Sequence, residues 1–195
     1  MRSLVLVILL CGLLGCSAKQ QSSAAPFVGT DVSGARLGDD LGLVDHNGQL
    51  RHLSDFKGDV VALFFGYTHC PDVCPTTMAD LAKATRLLGA RSKSVRVLFV
   101  TLDPARDTAE VLRHYVPSFD PGFIGLRGDE AGTKKVAQDF KIFYSRQESA
   151  SKAGYSLDHS GGVYIFDKKG NLRVYLNFGQ KPLDIAHDFK LLLDE

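Results

Sequence analysis

Two cysteines, Cys70 and Cys74, lie four residues apart in the run Cys-Pro-Asp-Val-Cys-Pro, directly after an apolar stretch. Residues four apart share one face of a helix, so both sulfur atoms can point at the same place. A cysteine at a helix N-terminus lies at the positive end of the helix dipole, which lowers its pKa and favours the thiolate. The pair therefore predicts either soft-metal binding or thiol redox chemistry.

The number of available ligands narrows the choice of metal. Thiolates favour Cu(I), zinc and iron–sulfur centres, but iron–sulfur clusters usually require four cysteines and structural zinc four protein ligands. Far downstream, Asp158-His159-Ser160 offers one imidazole. Two thiolates and one imidazole suit copper best, although a lone histidine is more often a surface or core residue than a ligand.

A structural disulfide between Cys70 and Cys74 is the alternative use of the pair. It would close a loop of only three intervening residues, and the stabilisation from loop closure grows with loop length. His69 adjoins Cys70, but neighbouring side chains need not converge, so we expect it to be exposed. The other four histidines are also expected at the surface: His46, His52, His114 and His187.

Two continuous apolar runs, 60–65 and 95–102, predict buried central strands. Cys70 follows the carboxyl end of the first strand and Asp103 follows that of the second. His159 precedes an apolar run that should lie antiparallel to them, so it begins at the same edge of the sheet. Sites in α/β sheets favour this edge.

The remaining elements complete a layered α/β domain. Asn47-Gly48 predicts an early hairpin, and a second hairpin is expected over 163–176. The order is hairpin, strand–helix units, hairpin and closing helix, which predicts a thioredoxin-like fold: a central mixed sheet flanked by helices, with an added N-terminal β-hairpin. Apolar periodicity predicts helices over 75–89, 107–116, 130–140 and 182–193, a short strand over 123–126 and an edge strand over 142–144.

Two carboxylates are candidates for supporting the ligands. Asp103 begins the run Asp-Pro-Ala-Arg-Asp-Thr, which fits a strand exit and helix cap as well as a carboxylate at the rim of the site. Asp158 can accept a hydrogen bond from the imidazole of His159, or it can simply be a turn residue.

The N-terminus reads as a targeting segment. Arg2 precedes an apolar stretch too short to span a bilayer comfortably, and Leu13-Leu14-Gly15-Cys16 resembles a bacterial lipobox. We interpret residues 1–16 as a lipoprotein signal peptide whose Cys16 carries the lipid. An ordinary signal peptide and an uncleaved anchor are the alternatives, and all three export the chain. Residues 17–38 are expected to be a flexible tether, and 39–195 the domain.

Composition excludes several classes of protein. The chain has 23 Lys and Arg against 22 Asp and Glu and no basic stripe, which argues against nucleic-acid binding. Of its four cysteines, Cys11 lies in the predicted leader and Cys16 is the predicted lipid site. Only Cys70 and Cys74 then remain as thiols, fewer than a disulfide-stapled secreted fold usually holds.

Three segments together closely resemble the Sco family, also called SenC, of thioredoxin-like copper-delivery proteins. They are 65–75 (Phe-Gly-Tyr-Thr-His-Cys-Pro-Asp-Val-Cys-Pro), 100–108 and 158–167, and their order and spacing cover residues 40–195. The resemblance implies that copper is held by Cys70, Cys74 and His159. It also implies a role in building the dinuclear copper centre of cytochrome c oxidase subunit II.

The resemblance leaves two functions open. One is a copper chaperone, tethered by lipid to a membrane of the bacterial envelope, that binds and transfers copper to subunit II or another acceptor rather than turning over a substrate. The alternative is an exported thiol–disulfide oxidoreductase in which Cys70 and Cys74 reduce the target cysteines. A thiol peroxidase is a third interpretation, but that family does not usually place a second cysteine four residues after the first.

Overall fold

The computed structural model describes residues 26–38, 40–148 and 154–195. The predicted leader, the predicted lipid site Cys16 and residues 17–25 of the predicted tether lie outside the described residues. Within the described ranges, no helix is long and apolar enough to cross a membrane.

Ten strands and four α-helices are present in the described part of the chain. The strands are β1 (Thr30–Asp31), β2 (Leu43–Asp45), β3 (Leu50–Arg51), β4 (Val60–Gly66), β5 (Val95–Thr101), β6 (Ile124–Arg127), β7 (Tyr144–Glu148), β8 (Tyr155–His159), β9 (Val163–Phe166) and β10 (Leu172–Leu176). The helices are α1 (Val73–Arg86), α2 (Ala109–Tyr115), α3 (Glu130–Asp139) and α4 (Pro182–Asp194).

Eight strands form one mixed sheet in the order β1-β10-β9-β4-β5-β6-β2-β3. Strands β4, β5 and β6 are parallel, and their other neighbours are antiparallel. All seven residues of β4 are buried, which requires cover on both faces because successive side chains point to opposite faces. This is the predicted thioredoxin-like α/β architecture, and the fold prediction is confirmed.

The strand register places the ends of β4, β5 and β10 and the start of β9 at one edge of the sheet, which we call the carboxyl edge. It is the edge at which β4 ends with Gly66 and β5 ends with Thr101, its paired partner. Val163, the first residue of β9, pairs with Phe64 and with Leu176 at the end of β10. Both predicted hairpins are confirmed, as β2–β3 and β9–β10.

One pair of strands differs from the prediction. The expected edge strand over 142–144 is instead β7, which pairs with β8 in a separate two-stranded sheet. Strand β8 lies outside every predicted element. Its sequence, Tyr-Ser-Leu-Asp-His, and that of β7, Tyr-Ser-Arg-Gln-Glu, are mostly polar, so neither carries the apolar pattern of a buried strand.

Residues 26–38, predicted as part of a tether, lie on the domain. Strand β1 pairs antiparallel with β10, and the chain before it is held by a buried carboxylate of α4. Asp188, with no exposed surface, accepts hydrogen bonds from the backbone N–H groups of Val28 and Gly29, both at 2.8 Å. The ordered domain therefore begins before residue 39, at the carboxyl edge, because β1 begins beside the end of β10.

Candidate metal centre

Cys70 and Cys74 are brought together at the N-terminus of α1. Cys74 lies in the first turn of α1 and is fully buried, whereas Cys70 precedes the helix and is partly exposed; both are free thiols. The side chain of Asp72, the N-cap residue, accepts no capping hydrogen bond. Instead the Cys70 sulfur accepts the backbone N–H of Cys74 at 3.4 Å, so a sulfur satisfies a helix N-terminal donor in place of the usual oxygen.

The two thiols have opposite protonation behaviour. A hydrogen bond from the Cys74 thiol, supported by the N–H groups of Cys74 and Asp72, lowers the pKa of Cys70 to about 5 despite partial burial. Donating that proton to Cys70, together with burial, raises the pKa of Cys74. At neutral pH the site therefore holds one reactive thiolate at Cys70 and one thiol behind it.

His159 completes the group from the opposite side. It is the last residue of β8, and its Nε2 lies 3.4 Å from the Cys74 sulfur. Its Nδ1 lies 2.8 Å from the carbonyl oxygen of Ser160, and because a carbonyl can only accept, Nδ1 carries the proton. In the neutral imidazole with its proton on Nδ1, Nε2 carries the lone pair that binds metals, and it is this nitrogen that faces the Cys74 sulfur.

The donor set fits copper in its chemistry. In the described ranges, no three or more His, Cys, Asp or Glu side chains form a preformed metal cluster; these groups lie at hydrogen-bonding distance. Metals bind thiolates, so binding here requires the loss of the Cys74 proton. Once that proton has left, two soft sulfurs and one imidazole nitrogen are available, a set that suits Cu(I).

The two predicted supporting carboxylates do not contact the ligands. Asp103 is buried, but it bonds the guanidinium of Arg106 at 2.5 Å and the hydroxyl of Tyr155 at 2.7 Å. Asp158 is exposed on β8, and the imidazole of His159 bonds the backbone of Ser160 instead. Asp103 therefore contacts Tyr155, the first residue of β8, and neither sulfur.

A carboxylate that the sequence analysis did not single out supports the cysteine loop. Asp107 is fully buried and accepts the Thr68 N–H at 3.0 Å and the Thr68 and Thr101 hydroxyls at 2.5 Å each. It therefore ties the loop before Cys70 to the end of β5. The cap of α2 is the next residue, Thr108, whose hydroxyl accepts the Val111 N–H.

The histidine predictions hold for His69 and fail for His46. The His69 side chain is 46% exposed, as expected. His46 is buried, and its Nδ1 accepts the N–H of Gly125 at 3.0 Å in β6. The surface prediction for His46 is wrong because the β2–β3 turn that carries it packs against β6, a tertiary contact that a turn signal does not report.

A family model, related sequences and solved structures all match this chain to Sco proteins. A family model described as SCO1/SenC matches residues 30–194. The SCO2-like protein of Rickettsia felis is 35% identical over 156 residues, covering 80% of this chain and 76% of that protein. The structure of Bradyrhizobium japonicum ScoI with copper bound superposes with a TM-score of 0.74 at 34% identity, covering 80% of this chain and 99% of that one.

A more distant structure shares the fold. BsSco, described as a member of the Sco family of cytochrome c oxidase assembly proteins, superposes with a TM-score of 0.64 at 21% identity. The match covers 86% of this chain and 98% of that one.

The pKa difference between the thiols predicts selective alkylation of the metal-free, reduced protein. Because iodoacetamide reacts with thiolates, Cys70 should be labelled with a midpoint near pH 5 and should lose reactivity below it, while Cys74 stays unlabelled. Peptide mass spectrometry across pH 3–10 measures this. In a Cys74→Ala control the midpoint should rise, since the main hydrogen bond is lost. A wild-type midpoint at the ordinary value of about 8.5 would contradict the assignment.

Proposed function

The chain belongs to the SCO1/SenC family, and from that membership we propose that it is a copper chaperone, lipid-anchored in the bacterial envelope. It delivers copper to, or prepares, the dinuclear copper site of cytochrome c oxidase subunit II. The observation that carries the proposal is the convergence of Cys70, Cys74 and His159 at the carboxyl edge.

The exposure of the three ligands suits transfer of a cargo ion. Cys74 is fully buried and His159 partly so, while Cys70 is accessible from solvent. Two inner ligands retain the ion while an incoming ligand of the acceptor approaches on the Cys70 side. Copper enters as cargo, its arrival releases the proton of Cys74, and reprotonation of Cys74 favours departure.

One observation supports the alternative, thiol–disulfide exchange. The accessible Cys70 thiolate can attack a target disulfide and form a mixed disulfide, releasing one target thiolate. Cys74, after losing its proton, can then attack Cys70, which releases the second target thiolate and leaves a Cys70–Cys74 disulfide. The two electrons pass from this cysteine pair to the target. Both functions therefore use the same two sulfurs. They differ in His159, which copper binding needs as a ligand and disulfide exchange does not use.

The metal site predicts one Cu(I) per chain in the reduced protein. Cys70→Ser or Cys74→Ser should lose most of the affinity, because a hydroxyl is a poor soft ligand, and a Cys70–Cys74 disulfide should abolish binding. Anaerobic titration of the detergent-solubilised full chain, read by native mass spectrometry, measures the stoichiometry. The matched control is Cys16→Ser, which removes a cysteine outside the site. Unchanged copper content in either site variant refutes the ligand set.

The chaperone and the reductase differ in their response to His159→Ala. For a chaperone, copper affinity should fall at least roughly tenfold, and oxidase activity in cells should recover with added copper. For a reductase, activity should change little or recover with an added thiol instead. His69→Ala is the matched control, because this exposed histidine neighbours Cys70 while its Nδ1 faces Thr68 and Asp107. Rescue by thiol alone would replace the chaperone proposal with the reductase.

The anchor has its own test at Cys16. If Cys16 is lipidated, Cys16→Ser should move the protein from the membrane fraction to the soluble fraction with copper binding intact, because residue 16 precedes the folded domain. Cys11→Ser is the control and should leave the distribution unchanged. Cell fractionation and the mass of the N-terminal peptide give the result. A wild-type protein that is freely soluble and lacks acyl mass on Cys16 contradicts the anchor.

A further inference from the structure

His159 is carried by a hairpin that is separate from the main sheet. Among the described strands, β7 and β8 pair only with each other. Beneath the hairpin lies a cavity of about 490 Å³, lined by Tyr144 and Arg146 from the hairpin and by Arg127 and Thr133 from the body of the domain. Leu157 of β8 is buried in the core, but packing does not fill this side of the hairpin, so the position of His159 also depends on discrete polar contacts between hairpin and body.

A three-residue unit joins the hairpin to the body, and we call it the clasp: Asp103, Arg106 and Tyr155. The Tyr155 hydroxyl donates to Asp103 at 2.7 Å, and Arg106 donates to the Tyr155 carbonyl oxygen at 2.9 Å. The guanidinium carbon of Arg106 lies 3.5 Å from the centroid of the Tyr155 ring, while its Nε donates to Asp103 at 2.5 Å. The side chains of Asp103 and Arg106 are 4% and 17% exposed, so solvent screens these contacts weakly.

Strand β8 connects the clasp to the metal ligand. Tyr155 is its first residue and His159 its last, and both pair with β7, opposite Glu148 and Tyr144. Because β8 is paired with β7 along its whole length, holding one end of β8 restricts the other.

The clasp also reaches the aromatic surroundings of the imidazole. Arg106 lies 5.9 Å from the ring centroid of Tyr67, and the Tyr67 ring meets the imidazole of His159 edge-on at 6.0 Å. The same guanidinium therefore contacts the strand that carries His159 and the ring that packs beside it.

We propose that Asp103, Arg106 and Tyr155 are positioning residues that hold the hairpin so that His159 meets copper bound by Cys70 and Cys74. The inference rests on the proposed function, because the role of His159 as a ligand is itself proposed. Opening the clasp withdraws the nitrogen ligand and leaves both sulfurs in place, since they belong to α1 and the loop before it. The clasp thereby sets how firmly the ion is retained.

Cu(I) affinity of the full chain, measured by competition with a chromophoric Cu(I) chelator, tests the proposal. Arg106→Gln should weaken binding roughly tenfold, as removal of residues that orient a ligand does. Tyr155→Phe should weaken it less, since the ring still stacks on Arg106 and only the bond to Asp103 is lost. Because Tyr155→Phe removes a single oxygen, it decides the matter should Arg106→Gln fail to fold.

Arg146→Gln is the matched control. The guanidinium of Arg146 lies 3.8 Å from the centroid of the same ring, but it pairs with Glu148 inside the hairpin. Its loss should leave the affinity within about twofold, because it makes no bridge to Asp103. If Arg146→Gln lost as much Cu(I) affinity as Arg106→Gln, any contact to the Tyr155 ring would matter equally. That result would overturn the proposed role of the clasp.

A double-mutant cycle separates positioning from general destabilisation. In a His159→Ala background, Arg106→Gln should cause no further loss, because there is no imidazole left to position. A purely structural effect would lower the affinity equally in both backgrounds and would overturn the inference alone. An unchanged affinity in His159→Ala itself would overturn the proposed ligand set, and the inference with it.

Discussion

The capping of α1 by the Cys70 sulfur is the interaction on which the site depends. A helix N-terminus must find acceptors for its free N–H groups, and here a sulfur three residues before the helix proper is one of them. This contact brings Cys70 against Cys74 and places negative charge at the positive end of the helix, and the hydrogen bond from the Cys74 thiol, supported by the Cys74 N–H, lowers the pKa of Cys70. One hydrogen-bonded arrangement therefore sets the spacing of the two sulfurs, the nucleophilicity of Cys70 and the geometry of the first turn of α1.

The loop that presents this sulfur is fixed by a buried charge. Asp107 has no exposed surface, and burying a carboxylate without partners would cost several kcal/mol. Its bonds to Thr68 and Thr101 offset that cost only while the loop after β4 and the end of β5 stay in register. The cysteine loop is therefore joined to the most deeply buried part of the sheet, whereas His159 is joined through a hairpin that the clasp holds.

The sequence predicted the parts of the site that follow from strong patterns. Continuous apolar runs identified β4 and β5, parallel pairing placed the cysteines at the end of β4, and the antiparallel β9 brought His159 to the same edge. Contacts between distant polar groups could not be predicted in this way. The partner of Asp103 is Tyr155, 52 residues away on a strand without an apolar pattern, and the burial of His46 depends on packing against β6.

The attachment of Val28 and Gly29 to Asp188 sets the point at which a tether from Cys16 would reach the domain. Eleven residues lie between Cys16 and Val28, so an anchored chain can place this point at most about 43 Å from the bilayer surface. A tether extending to residue 38 would reach about 80 Å. This attachment point also lies at the carboxyl edge, so a lipid on Cys16 would restrain the molecule from the same end that holds the sulfurs. For a chain anchored as proposed, copper exchange is confined to a shallow layer above the membrane, where only acceptors with membrane-proximal ligands come within range.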